Sequence, residues 1–211
     1  MIKGIVFDFD GVLVESADIK TQAFADLFAK WPKYCAQMVA YHKANMGVSR
    51  YAKFRYFYEE LLKEPYTDEI GELLAARFSR QVFDRITMAP FVTGAKEFLA
   101  ATPLPLFIAS GTPQDELEVI CQIRGMVDFF KGIHGSPATK DLIVQRIMER
   151  YSFSPKELVF VGDAEADYKA AIDNGVHFIL RRTPDNMSLA AICGWVIADL
   201  TNIQTIIEEL P

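Results

Sequence analysis

The sequence predicts an α/β protein: a parallel, doubly wound sheet with helices on both faces, interrupted by an all-helical insertion. Three observations predict it. Short apolar runs recur along the 211 residues, alternate with helical patterns, and end in Asp, Ser, Gly or Thr. Strand and helix in alternation are what a parallel sheet with crossover helices requires. The runs show no polar alternation, so their strands are buried on both faces. One interval breaks the rhythm, because residues 16–88 contain no comparable run.

Ile5 to Phe9 is the first strand. It carries Asp8 and Asp10 at its end, and residues two apart on a strand face the same side. Two carboxylates on one side repel, and burying charge is costly, so the pair calls for a cation, a shared proton or a substrate. Gly11 follows and permits a sharp exit. Ser16 to Met88 reads as helical, with breaks at Pro32 and Pro65. Within it Tyr51, Phe54, Phe57, Tyr58 and Leu61 recur at three- and four-residue steps, an amphipathic helix whose aromatic stripe reads as core packing. Leu104 to Ala109 is the second strand, ending in Ser110-Gly111-Thr112 and followed by a helix from Pro113 to Arg124. Gly135 to Thr139 reads as a loop, with Thr139 capping a helix that runs to Tyr151. Leu158 to Val161 is the third strand, ending in Gly162-Asp163; the helix Glu165 to Asn174 stops at Gly175. Phe178 to Leu180 and Trp195 to Ile197 complete the series. The expected domains are an α/β core of residues 1–15 and 90–211 and a helical cap of residues 16–89. The connections fall near Val14-Glu15-Ser16 and Ala89-Pro90-Phe91.

With 51% hydrophobic residues the chain can bury a substantial core. Its net charge is −6 and no block of Lys and Arg stands out, which argues against binding nucleic acid or an anionic membrane. Cys35, Cys121 and Cys193 are scattered, with neither a metal-ligand spacing nor a disulfide framework, and fit a reducing compartment. The N-terminal apolar run is interrupted by Asp8 and Asp10 and does not read as a signal peptide, and no segment approaches the length of a membrane span. The expectation is a cytoplasmic globular protein; its oligomeric state is left open.

In open parallel sheets, ligands bind beyond the carboxyl ends of the strands. There the sequence offers Asp8 and Asp10, then Ser110, Gly111 and Thr112, then Asp163 with Glu165 and Asp167 beyond it. Lys140 joins them from the first turn of its helix, where a cation opposes the helix dipole and holding an anion would offset that cost. Carboxylates with a serine, a lysine and free amides suit phosphoryl transfer, and oxygen-only ligands suit Mg²⁺. One carboxylate can attack phosphorus, while a second protonates the leaving oxygen and later activates water.

These residues resemble the four motifs of the haloacid dehalogenase (HAD) superfamily, in the branch with a helical cap after the first strand. Asp8-Phe9-Asp10-Gly11-Val12 matches the first motif, Ser110 the second, Lys140 the third, and Gly162-Asp163-Ala164-Glu165-Ala166-Asp167 the fourth. The resemblance spans essentially the whole chain and implies a Rossmann-like parallel-sheet core with the cap inserted. It implies Asp8 as nucleophile and Mg²⁺ ligand, and Asp10 as general acid/base whose backbone carbonyl also meets the metal. It further implies Ser110, Gly111 and Lys140 on the phosphoryl group, Asp163 on the metal, and Asp167 as a ligand or a ligand's partner. Where the family often carries proline after the third-motif lysine, this chain has Asp141.

The resemblance therefore implies a Mg²⁺-dependent phosphohydrolase acting on a small phosphorylated metabolite through an aspartyl-phosphate. The dehalogenase and phosphonate-cleaving branches lack an aspartate where this chain has Asp10. The alternatives are a phosphomutase of the β-phosphoglucomutase type and a non-catalytic phospho-ligand binding protein. Gly47-Val48-Ser49-Arg50 resembles a mutase cap loop, but Lys20 stands where those relatives often have histidine. Arg50 and Lys20 are the cap cations expected to meet the substrate. His42, His134 and His177 read as structural or solvated, as does Glu165.

Overall fold

A computed structural model describes residues 1–211. Six parallel strands form one sheet: β1 (Gly4–Phe7), β2 (Leu106–Pro113), β3 (Gly132–Ser136), β4 (Leu158–Gly162), β5 (His177–Arg181) and β6 (Val196–Ile197), in the order β3-β2-β1-β4-β5-β6. The strand order reverses at β1, and the crevice at such a switch point is where open α/β sheets bind ligands. Register brings the three central strand tips level: Phe7 pairs with Ile108 on one side and with Val161 on the other. Asp8, Ser110 and Asp163 follow those tips. The central strands are buried on both faces, as their unalternated apolar runs require.

The sequence reading assigned residues 135–139 to a loop and missed β3. Gly132-Ile133-His134-Gly135-Ser136 has two glycines and a single strongly apolar side chain, and it occupies the edge of the sheet with its first three residues only half-buried. Edge strands need little hydrophobic signal, so tertiary pairing decided what periodicity did not. Thr139 does precede α7 (Lys140–Tyr151), but its side chain makes no capping bond.

No strand of the sheet comes from the segment between β1 and β2. Within it, residues 16–89 fold as α1 (Ala17–Phe28), α2 (Pro32–Ala44), α3 (Arg50–Tyr56), a π-helical turn at Phe57–Leu62, and α4 (Asp68–Met88). Pro32 begins a helix, as proline at a first helical position can. The aromatic stripe packs inward: Phe54 and Phe57 are fully buried, and the ring of Phe28 lies tilted against Phe57, centroids 4.4 Å apart, as does Phe24 against Phe78 at 4.7 Å. The two connections to the sheet run side by side. Glu15 N donates to Pro90 O at 3.0 Å, Val92 N to Leu13 O at 3.0 Å, and Val14 bridges Phe91. We propose this paired crossing as the division between core (1–15, 90–211) and cap (16–89).

On the core strands pack α5 (Ala95–Ala101), α6 (Gln114–Ile123), α7 and α8 (Glu165–Asn174). Gly175 ends α8 in the left-handed conformation, φ 68°, as its sequence position predicts. All three cysteines are free, and no helix is long and apolar enough to cross a membrane.

Candidate active site

The tips of β1 and β4 and the starts of α7 and α8 bring Asp8, Asp163, Asp167 and Lys140 together in the interior. Asp8, Asp163 and Asp167 each place a carboxylate oxygen within 4.8 Å of the others. Lys140 lies against this cluster, its Nζ 2.9 Å from Asp8 Oδ2 and 2.5 Å from Asp167 Oδ1. Three buried carboxylates against one ammonium leave uncompensated negative charge. Burial pushes the Asp8 carboxyl up to about 7; Lys140 opposes the rise while Asp167 and Asp10 add to it. Asp163 is raised well above the usual carboxylate range by burial and then by Asp8 and Asp167. For Lys140 burial acts downward, but Asp167 and Asp8 outweigh it and hold the ammonium firmly protonated.

The carboxylates differ in what remains free. Asp167 is fully engaged: Oδ1 accepts from Lys140, and Oδ2 accepts from the amides of Asp163 and Ala164 at 3.1 and 3.0 Å. It fixes the lysine and the β4–α8 turn. Asp163 Oδ2 is buried with no hydrogen-bond partner. A buried, unpartnered carboxylate oxygen beside a second carboxylate suits a hard divalent cation, so these residues fit Mg²⁺: Asp163 Oδ2 is open, and beside it Asp8 has Oδ1 accepting from Phe9 N at 2.7 Å and Oδ2 facing Lys140. Gly11 keeps that space clear. Its φ is 77°, and a Cβ there would overlap Asp163 Oδ2.

Asp10 turns away from this cluster. Its Oδ1 accepts from Ser16 Oγ at 2.7 Å, and its Oδ2 accepts from Thr112 Oγ1 at 3.2 Å and from the Lys20 ammonium. Lys20 also donates to Thr112 Oγ1 at 2.8 Å. Burial raises Asp10, but the Lys20 charge and the hydrogen bonds from Lys20, Ser16 and Thr112 outweigh it and hold the carboxyl below its usual range. Ser16 precedes α1 and makes no side-chain capping bond; its hydroxyl donates to Asp10. The side chain of Asp10 is therefore no part of the carboxylate cluster, and Lys20, expected to face the substrate, is bonded to the acid/base candidate.

Ser110 is buried, its Oγ accepting from Thr112 N at 3.1 Å, and with Gly111 and Lys140 it lines a cleft of about 490 Å³ between the cap loop and the starts of α7 and α8. A smaller cavity of about 40 Å³ lies over Asp8, Asp10 and Asp163, with Lys20, His42, Gly47, Arg50 and Lys53 among its walls. Gly47 and Gly111 line both. They pack face to face, since a Cβ on Gly111 would come within 2.5 Å of the Gly47 carbonyl oxygen. The cap is thus closed on the core.

Arg50 holds that closure. Its Nη1 and Nη2 meet Glu116 of α6 at 3.0 and 2.6 Å, and Nη1 also donates to Ser79 of α4 at 2.7 Å. Ser79 Oγ donates to the same carboxylate at 2.5 Å. Burial raises Glu116, but Arg50 and Ser79 keep its carboxyl below the usual range. Arg50 was expected to receive a second anionic group of the substrate; its fork is occupied by Glu116 across the cap–core boundary. Arg50→Ala is accordingly expected to lower kcat/KM by a similar factor, about tenfold or more, on a metabolite substrate and on a small aryl phosphate. A loss confined to the metabolite would return Arg50 to substrate recognition.

Sequence reasoning passed over Lys53 and Glu116 and left His42 as structural or solvated. A signal for Lys53 was present: Arg50, Lys53, Phe54 and Phe57 occupy positions i, i+3, i+4 and i+7, which put a lysine on the buried face of an aromatic helix. Glu116, in the first turn of an exposed-looking amphipathic helix, gave none.

The fold and these residues define a hydrolase that works at the tips of a parallel sheet beneath a helical cap. The family model for haloacid dehalogenase-like hydrolases matches residues 5–181, and the chain belongs to that family. It is an enzyme of the family's phosphatase type. A phosphoglycolate phosphatase of Escherichia coli O157:H7 is 24% identical over 199 aligned residues, covering 81% of this chain and 77% of that protein. Among solved structures, a β-phosphoglucomutase from Clostridium difficile superposes with a TM-score of 0.76 at 16% identity, over 99% of this chain and 96% of that one. A haloacid dehalogenase-like hydrolase from Streptococcus pneumoniae gives 0.73 at 19% identity, over 98% of each chain. At such identities these structures speak for the fold alone.

Proposed function

We propose that the protein is a Mg²⁺-dependent phosphohydrolase that cleaves a small phosphorylated metabolite through an aspartyl-phosphate on Asp8. The observation that carries this reading is the buried placement of Asp8 between Lys140 and the unpartnered Asp163 oxygen. Bound at Asp8 and Asp163, Mg²⁺ would neutralise the phosphoryl oxygens and so let a carboxylate approach them. Asp8 then attacks phosphorus, the bond to the ester oxygen breaks, and the leaving oxygen takes a proton from Asp10. Lys140 and Ser110 hold the transferring group. Water attacks the aspartyl-phosphate, Asp10 takes its proton, and phosphate and free Asp8 are released. Lys20, Ser16 and Thr112 favour the ionised Asp10, the form that accepts the proton of water; for the first half-reaction Asp10 must take up a proton from solvent, so that half should slow as the pH rises.

A relative of 24% identity is named for phosphoglycolate, which supports trying short phosphorylated acids first as candidate substrates. In the phosphomutase reading the cap-loop Arg50 would hold a second phosphate, and Arg50 is paired with Glu116. The test is a panel of phosphorylated metabolites assayed for phosphate release with Mg²⁺ and with excess chelator. Release from small phosphate esters in Mg²⁺ alone is expected. No release from any ester, or equal release in chelator, would overturn the reading.

A further inference from the structure

Three cations from the cap line the small cavity over Asp8, and two of them have carboxylate partners: Lys20 pairs with Asp10, and Arg50 with Glu116. Lys53 has none. It is 3% exposed, makes no ion pair, and its only side-chain hydrogen bond is to His42 Nδ1 at 2.9 Å. His42 is 4% exposed, stacks on Phe24 at 4.3 Å, and has no partner for its Nε2. Because the lysine donates to Nδ1, the neutral ring carries its proton on Nε2, a second buried donor without an acceptor. An ammonium buried against aromatic rings and an imidazole costs stability unless an anion completes it. Nothing in the protein does so, and the open side of Lys53 is the cavity over the nucleophile.

We propose that Lys53, seated on His42, binds the carboxylate of a short phosphorylated carboxylic acid whose phosphoryl group lies on Asp8, and so sets substrate choice. The proposal rests on the phosphohydrolase reading and names the residue that selects within it. Cavity size decides between a carboxylate and a second phosphate. The space is about 40 Å³, and one water needs roughly 10–15 Å³ of such volume. With the cap closed there is room beyond the nucleophile for a group of a few atoms, such as a carboxylate, and too little for a sugar carrying a second phosphate. Burial, and then the charges of Lys20 and Lys140, bring the Lys53 ammonium down to about 7, so an arriving carboxylate would restore its proton as well as pair with it.

The test compares the parent with Lys53→Met and Lys53→Gln on phosphorylated two- and three-carbon acids, on neutral ethyl phosphate, and on p-nitrophenyl phosphate. Calorimetric binding of phosphoglycolate and of ethyl phosphate, in Mg²⁺, to each protein carrying Asp8→Asn as well gives a readout that needs no turnover. The parent is expected to prefer the acids. Both variants should raise KM and Kd for the acids by about 10–100-fold and leave kcat/KM for p-nitrophenyl phosphate within about threefold. Lys53→Met, which removes an unpaired buried charge, should unfold at the same or a higher temperature than the parent. A parent that shows no preference for acids over ethyl phosphate, or that prefers bisphosphates, overturns the assignment, as does equal loss on all esters. A parent that hydrolyses nothing yet binds the acids through Lys53 would reject the phosphohydrolase reading and keep the subsite.

Discussion

Asp8→Asn is expected to abolish phosphate release, a loss of about 10⁴-fold or more, while the protein stays folded. An amide cannot serve as the nucleophile, and it is a weak ligand for a hard cation. Stability should move the other way. The folded protein raises Asp8 from the ordinary 3.8 to about 7, so burial of the ionised group is unfavourable in the absence of metal. A carboxyl raised on folding contributes stability that is full below its unfolded value and is lost as pH rises through its folded one. In chelator at pH 8 the ionised Asp8 therefore destabilises the parent, and Asn removes that penalty. The variant should melt at or above the parent at pH 8, and the gap should close as the pH falls towards 4. Addition of Mg²⁺ should stabilise the parent more than the variant. Turnover by purified Asp8→Asn, or a variant that melts well below the parent at pH 8, would contradict the assignment of Asp8.

Lys140→Ala should have the second largest effect, and on two properties together. Lys140 is the cation bonded to the Asp8, Asp163 and Asp167 cluster, and it is 6% exposed. Its loss leaves three buried carboxylates without an ammonium, and breaking a buried pair in this way costs about 3–5 kcal/mol. In chelator the variant should melt far below the parent. Mg²⁺ should recover part of that loss, because a bound cation restores the charge balance. Activity should stay about 10³-fold down even with Mg²⁺, since the positive charge facing the phosphoryl group is missing. Ser110→Ala removes a neutral hydrogen bond and should cost less, about 10²-fold, with little change in melting. Tungstate soaked into crystals should lie within hydrogen-bonding reach of both residues. Equal losses in the two variants, or an anion bound elsewhere with Lys140 turned to solvent, would overturn the assignment.

Arg50 shows where sequence reading stops. Its place at the start of a helix after a glycine-containing loop identifies the cap loop, but not the partner that waits 66 positions along the chain. Lys20 likewise sits on a helix readable from sequence, yet its bond to Asp10 depends on how α1 folds over β1. The edge strand Gly132–Ser136 escaped because its pairing with β2, and not its own side chains, makes it a strand.

By itself, the sequence determined the α/β class, the helical insertion between the first two strands, the order of the strand-tip residues and the chemistry they carry. Those features are local: continuous apolar runs mark buried parallel strands, and the polar residues that end them lie where such sheets bind ligands. Only the tertiary structure decided which charges are paired and which are left open. It pairs Arg50 with Glu116, Lys20 with Asp10, and Asp167 with Lys140, and it leaves Asp163 Oδ2 and Lys53 without ionic partners. The reason is electrostatic. The character of a buried charge is set by partners a few ångströms away in space, contributed by elements far apart in the chain, and no local pattern encodes their meeting.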